Sequence, residues 1–319
     1  MMVPRHNPIP MEHPPIRFQR RHLELLVAVA DTGSMHKAAQ LLRIAQPAVS
    51  RVLAELERAV GARLLERTAV GSVLTPRGQA LVAQARAVLG GLERMEDLAR
   101  QHAATVRFGC IPRAMHTLMP FLVEGLGDLC RLAVTEEGSP LLLAALQRGA
   151  LDMAVMRHVG GAQAMEGGLR ADRLYDERPV VICRPGRRFP RRKVQPLASL
   201  AGFEWVLPAR ETMTRSVLDR FWQDQALPHL RTVLETRSYE SSAAIASPTG
   251  LLSIIPQSIA RRYERAGLLQ VVPVEPSLPG TAVLLVAGEH AAGDPVLQGL
   301  RERVREAAER ARQAFALTP

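Results

Sequence analysis

Apolar residues recur along the first hundred positions at the spacing of amphipathic helices. Leu23, Leu26, Val27 and Ala30 follow the i, i+3, i+4, i+7 rule and share one face. Gly33 suits the position just past a helix end. Ser34 follows as an N-cap for the next helix. That helix, MHKAAQLL, is short, and its Ala38 and Ala39 let two helices cross closely. A turn at Arg43, Ile44 and Ala45 leads into a third helix near Gln46. There Val49, Val52, Leu53, Leu56 and Val60 line the apolar side, and Pro47 occupies the first turn, where a missing N–H costs nothing. Gln46, Ser50, Arg51 and Glu55 lie opposite. A brace helix, a tight turn and a second helix with a polar face make a helix-turn-helix. The stretch ARLLERTAVGSVLTPRG then predicts a two-stranded wing turning at Val70, Gly71 and Ser72, with Arg63, Arg67, Thr75 and Arg77 near phosphates.

No proline occurs from 77 to 103, and Leu81, Ala85, Val88, Leu92, Met95, Ala99 and His102 alternate by four and three. This is a heptad seam that needs a partner, either a second chain or the protein's own domain. Beyond Ala103 the pattern changes. TVRFGCI, RLAVTEE and LDMAVM read as strands, separated by helices RAMHTLMPFLVEGL and PLLLAALQRG. A second series starts at PVVICRP and runs through FEWVLPA, TVLETRS, LLSIIP, LQVVPV and TAVLLVA, with helices around 216–225, 240–246, from Gln257 and from Pro295. Strands alternating with helices predict an α/β fold with a largely parallel sheet.

Composition narrows the function. The 319 residues are 47% hydrophobic and 23% charged, as in a globular chain of two or three domains. The net charge is +10, and residues 1–77 hold eleven Arg and Lys against six Asp and Glu, a balance that favours a polyanionic partner for the head. The run Arg184, Arg187, Arg188, Arg191, Arg192 and Lys193 lies in a Pro/Gly-rich stretch and reads as a solvated loop. Cys110, Cys130 and Cys183 are odd in number and widely spaced, which suggests neither a disulfide framework nor a zinc site. Cys110 and Cys183 lie in strand-like runs and read as buried small side chains, with a redox switch as the alternative. The proline-rich start is neither a helix nor a secretory signal, and no apolar stretch is long enough to span a bilayer, so a cytoplasmic address is expected.

The run GSMHKAAQLLRIAQPAVSRVLAELERAVGARLLERTAVGSVLTPRG resembles the DNA-binding domain of LysR-type transcriptional regulators. Gly33-Ser34, Ala38-Ala39, Leu42, Gln46-Pro47-Ala48-Val49-Ser50, Leu56-Glu57, Gly61, Leu64-Leu65, Arg67, Leu74-Thr75 and Gly78 carry the likeness. Leu65 departs from it, standing where the family usually has Phe. ALQRGALDMAVM and LYDERPVVICRPG extend the likeness to residues 18–310. The resemblance implies a winged helix-turn-helix, a long linker helix and a two-lobed α/β effector module like the periplasmic binding proteins. The expected divisions are 1–16 as an arm, 17–77 as the DNA-binding domain and 78–104 as the dimerisation helix. Lobe I is expected at 105–174 with 280–312, and lobe II at 175–279. Gln46, Pro47, Ser50 and Arg51 would face base edges, while Ser34, Lys37, Arg43 and Arg67 would hold phosphates. The partners implied are a double-stranded DNA operator, a small-molecule effector and a second copy of the chain. Tetramers are common in the family, and RNA polymerase is a further candidate; no membrane partner and no cofactor are expected.

Ligands of parallel α/β lobes bind at the carboxyl ends of strands, where helix N-termini offer free N–H groups. Ile111, Pro112 and Arg113 follow the first strand of lobe I. Gly138, Ser139 and Pro140 follow the second, and Arg157 ends the third. Glu211, Thr212, Met213 and Thr214 open a helix of lobe II, and Tyr239 and Ser241 follow a further strand. Effector contacts are therefore expected at Ile111, Pro112, Arg113, Ser139, Arg157, Thr212, Thr214 and Tyr239. Arg113 stands where many family members carry Ser or Thr, and a guanidinium in a cleft favours a carboxylate or another polar anion. Its alternatives are solvent or Glu136 and Glu137. SPTGLLSIIP departs from the glycine-rich family pattern, which leaves that edge of the pocket open. No hydrolase, metalloprotease or nucleotide-loop motif supports an enzyme. A solute receptor would not explain the DNA-binding head, and a sequence-nonspecific DNA protein would not explain the two lobes.

Overall fold

A computed structural model describes residues 17–68, 71–100, 102–157, 168–186, 189–190 and 193–317; the arm at 1–16 lies outside them, as does most of the 184–193 basic run. The chain forms two compact units. One runs to Thr105 and takes in Ala144–Asp152, and the other holds Val106–Leu143 and the chain from Met153 onward.

The first unit begins with α1 (Arg20–Thr32), α2 (Met35–Leu42) and α3 (Gln46–Val60). Gly33 and Gly61 end α1 and α3 in the left-handed conformation, with φ of 62° and 67°. The helices meet over Leu25, Leu26, Val29, Ala38, Ala39, Val49, Leu53 and Leu56. Strands β1 (Leu65–Thr68) and β2 (Gly71–Leu74) pair antiparallel as the wing, with Arg67 opposite Ser72 and Thr68 opposite Gly71. Gly71 and Ser72 thus belong to a strand and not to the expected turn, and Val70, the first residue of that expectation, lies outside the described residues. Helix α4 (Pro76–Ala99) follows, capped by Thr75, whose hydroxyl accepts the Gly78 N–H.

The heptad stripe keeps to one side of α4 but changes its surroundings along the helix. Ala85 is buried with Val82 and Gly78, because the first turns of α4 close the head core against α1. Val88, Met95 and Leu98 point to solvent, the last two 67% and 76% exposed. His102 lies beyond the helix end.

The second unit carries two five-stranded mixed sheets. Lobe I orders β4-β3-β5-β14-β6, built from β3 (Thr105–Cys110), β4 (Arg131–Glu136), β5 (Met153–Arg157), β6 (Leu169–Glu177) and β14 (Thr281–Gly288). Lobe II orders β10-β9-β11-β7-β12, built from β7 (Pro179–Cys183), β9 (Glu204–Pro208), β10 (Arg231–Thr236), β11 (Leu252–Pro256) and β12 (Gln270–Val272). β8 (Gln195–Pro196) pairs with β13 (Val274–Glu275) in a small ribbon. Neither large sheet is mostly parallel. β14 runs antiparallel to both β5 and β6, and β7 to both β11 and β12. The chain crosses from lobe I to lobe II at Arg178, between β6 and β7, and returns between β13 and β14.

The stretch read as one helix after β3 is two, α5 (Pro112–Thr117) and α6 (Met119–Leu126). Pro120 lacks an N–H and crowds the turn before it, so a new helix must start there. Lobe I adds α7 (Ser139–Gln147) and α11 (Pro295–Phe315); lobe II adds α8 (Met213–Asp224), α9 (Tyr239–Thr249) and α10 (Gln257–Arg265). Trp205, Leu252, Ile254 and Val181 fill the core of lobe II on one side of its sheet.

Candidate functional site

Two surfaces carry chemistry. The first is the open side of α3. Its apolar side is fixed by Val49, Leu53 and Leu56, so Gln46, Pro47 and Arg51 are left exposed, with Ser50 half-buried. Positions 46 and 50, and 47 and 51, are four apart and share a face. Arg43 reaches the left-handed conformation at φ 54° and ends α2 in the turn before α3. Lys37, Arg43 and Arg51 are exposed and make no ion pair among the described residues. Glu57, by contrast, turns inward, where Oε1 accepts the N–H groups of Leu64 at 2.8 Å and Leu65 at 3.2 Å, anchoring the wing to α3.

Three hydroxyls expected at the nucleic-acid face already have work inside the fold. Ser34 accepts the Lys37 N–H at 3.4 Å as the N-cap of α2. Ser50 Oγ donates to Met35 Sδ at 3.8 Å. Thr75 caps α4 and donates to the Arg63 carbonyl at 2.9 Å. Arg67 sits on β1, with its side chain outside the described residues.

The second surface is a cavity of about 600 Å³ in the two-lobed unit. Ile111, Pro112, Arg113, Ser139 and Arg157 line it from lobe I, and Thr212 and Tyr239 from lobe II. Thr214 faces a small recess behind it, shared with Arg113 and Arg157. Helices position these groups. Ser139 opens α7, and its Oγ accepts the Arg157 N–H at 3.0 Å, tying the end of β5 to that helix. Thr212 caps α8 by accepting the Arg215 N–H. Arg157 Nη1 donates to Thr214 Oγ1 at 3.0 Å, and that hydroxyl lies 2.5 Å from the Tyr239 hydroxyl. This chain of groups joins the lobes across the cavity.

Arg113 turns neither to solvent nor to Glu136 and Glu137. Its Nε lies 2.7 Å from Glu177 Oε2, with the two side chains only 6% and 0% exposed. Glu177 Oε1 also accepts from the N–H and hydroxyl of Ser258 at the start of α10. The Arg113–Glu177 approach is close in distance but lacks hydrogen-bond alignment, and Arg113 Nη2 has no hydrogen-bond partner among the described residues. Arg157 Nε is likewise buried without one. Burial, reinforced by the charge of Arg113, holds the Arg157 guanidinium down to about 10. The buried Arg113 and the half-buried Arg157, whose Nε is buried, therefore stand beside a single buried carboxylate, and the floor is short of one negative charge. A guanidinium partly withdrawn from water without a counter-ion loses hydration that nothing repays, so such a floor attracts an anion.

Sequence reasoning missed Glu177, His116, Arg237 and Glu240 at this site. Glu136, Glu137 and Glu211 line the mouth with them. Glu177 ends β6 and Arg237 follows β10, which was their only signal, while His116 and Glu240 lie within α5 and α9 and had none. A further cavity of about 550 Å³ lies in lobe II around Leu218, Trp222, Leu227 and Leu230. Its buried Arg215 is already satisfied by Asp219, Glu235 and the Pro208 carbonyl.

A braced helix with a free polar face, joined in one chain to a two-lobed module enclosing a charged cavity, defines a DNA-binding regulator with an effector domain. The family described as "Bacterial regulatory helix-turn-helix protein, lysR family" matches residues 20–79, and "LysR substrate binding domain" matches residues 99–309. The transcriptional regulator PcaQ of Agrobacterium fabrum is 28% identical over 301 residues, 92% of this chain and 96% of PcaQ. A probable hydrogen peroxide-inducible genes activator of Mycobacterium avium is 30% identical over 272 residues, 80% of this chain and 84% of that protein. The crystal structure of ArgP from Mycobacterium tuberculosis shares the fold, with a TM-score of 0.71 at 22% identity, over 92% of this chain and 98% of ArgP. The chain belongs to the LysR family of transcriptional regulators. Its families and relatives are regulators, not enzymes. Among the described residues no helix is long and apolar enough to cross a membrane.

Proposed function

We propose that this regulator reads a specific operator through α3 and that an anionic small molecule, held in the lobe cavity, controls it. The carrying observation is the floor of that cavity, where the Arg113 side chain and the Arg157 Nε are buried and Glu177 lies within ion-pair distance of Arg113 alone. A carboxylate presented to Arg157 supplies the missing charge in a hydrogen-bonding geometry that suits a guanidinium. Gln46, Pro47, Ser50 and Arg51 face base edges in this reading, and Lys37, Arg43 and Arg67 hold phosphates, with Ser34 beside them at the α2 cap. A second copy of the chain pairs the heads on a roughly palindromic site through α4. The effector acts only as far as it prefers one lobe arrangement over another.

One of the curated relatives is a peroxide-inducible activator. Peroxide chemistry needs an accessible thiolate. Here burial pushes the Cys110 thiol up to about 12 and Cys130 up to about 11, and all three cysteines are buried. Small-molecule binding fits these residues better than thiol oxidation.

The test uses the full-length protein and the DNA upstream of its own gene. Arg51→Ala is expected to weaken operator binding by ~1–3 kcal/mol and random-DNA binding much less. Equal losses on both would remove Arg51 from base reading. Small carboxylic acids should shift operator affinity in the parent and lose that effect in Arg157→Gln; an undiminished response would remove the cavity from the mechanism.

A further inference from the structure

The cavity is electrically polarised. At its floor Arg157 has no carboxylate within ion-pair distance among the described residues. At its mouth stand Glu136 and Glu137, both exposed and both without an ion pair among the described residues. The other acidic groups lining it are already matched, Glu211 by Arg237 at 3.7 Å and Glu240 by Arg262 at 3.8 Å. One uncompensated positive charge thus lies deep, and two uncompensated negative charges lie near solvent.

From this arrangement we infer that the effector is a zwitterion of the amino-acid class, its carboxylate against Arg157 and its ammonium toward Glu136 and Glu137. The inference rests on the proposed anionic effector site and narrows it. A dicarboxylate would satisfy Arg157 but bring its second charge against the two rim carboxylates. A plain carboxylate would leave those carboxylates unmatched. An amine lacking the acid would add a positive charge beside the guanidiniums of Arg157 and the buried Arg113. Only a ligand with both charges, anion inward, meets each free group with its opposite. The deep contact carries most of the affinity, because exposed charges are screened. The rim contributes selectivity, since like charges brought together count against a wrong ligand.

The test is a panel of the twenty standard amino acids, each beside its des-amino acid, with the C4 to C6 dicarboxylic acids as a third arm. Each is titrated into the full-length protein by calorimetry. The best amino acid should bind about five- to tenfold more tightly than its des-amino counterpart, the size expected of exposed charge pairs. It should exceed every dicarboxylate by more. In Glu136→Gln/Glu137→Gln the ratio between amino acid and des-amino acid should fall to about twofold or less. Because the ratio is taken within one variant, any general loss of affinity cancels. A des-amino acid or a dicarboxylate that binds as well as the best amino acid overturns the inference, as does a ratio that survives the double substitution, or a panel in which no amino acid binds. Carboxylates that bind the parent and not Arg157→Gln, with no help from the amine, would leave the anionic reading standing while the zwitterion falls.

Discussion

Glu177 holds the lobe crossing together through two elements. It ends β6, faces Arg113 of α5 and accepts two hydrogen bonds from Ser258 of α10. Glu177→Ala strips Arg113 of its counter-ion and Ser258 of its acceptor, so a loss of about 3–5 kcal/mol is expected. Urea unfolding of the variant checks this, and a loss below about 1 kcal/mol would mean that the pair is not holding the lobes. Arg113→Ala is for the same reason a poor probe of ligand binding, since it leaves a buried carboxylate alone. Arg157 has no such obligation and is the cleaner test. That Arg113 belongs in the cavity was legible from its place after a strand. Its partner was not, because Glu177 lies far along the chain, and Glu136 and Glu137 were the nearer acids in sequence.

Helix punctuation in the head was legible because single residues decide it. Gly33 and Gly61 take the left-handed conformation, Pro47 fits the first turn of α3, and Ser34 caps α2. Strand β6 was not legible. Arg170, Asp172, Arg173 and Asp176 interrupt its apolar positions, and it sits at a sheet edge, where polar faces are tolerated. The heptad in α4 was visible, with a second chain or the protein's own domain to cover it, but not that only its first turns go to the head core while Val88 and Met95 stay exposed. Gly78 shows how close that packing is. A Cβ there would sit 2.1 Å from the Leu64 carbonyl oxygen, which is backbone and cannot give way. Gly78→Ala should therefore destabilise the head by about 1–3 kcal/mol. Comparing the melts of parent and variant heads would show it, and an equal melting temperature would sink the argument.

At the scale of the molecule, alternation of strand and helix was enough to read an α/β module behind a helical head. The antiparallel strands were not readable, because they follow from where the chain changes lobes and not from any local pattern. The exposed Val88, Met95 and Leu98 on α4 form an apolar face that our reading assigns to a second copy. Met95→Lys/Leu98→Glu should weaken self-association at least tenfold, about 1.4 kcal/mol. Sedimentation over a concentration series reads this directly, and an unaltered dimer would move the interface elsewhere.

β14 joins β5 to β6, yet it is drawn from chain beyond lobe II. On the ribosome every strand of the lobe II sheet emerges before it. The lobe that begins first is therefore completed last, and until β14 arrives the partner-seeking edges of β5 and β6 stay open to the wrong strand.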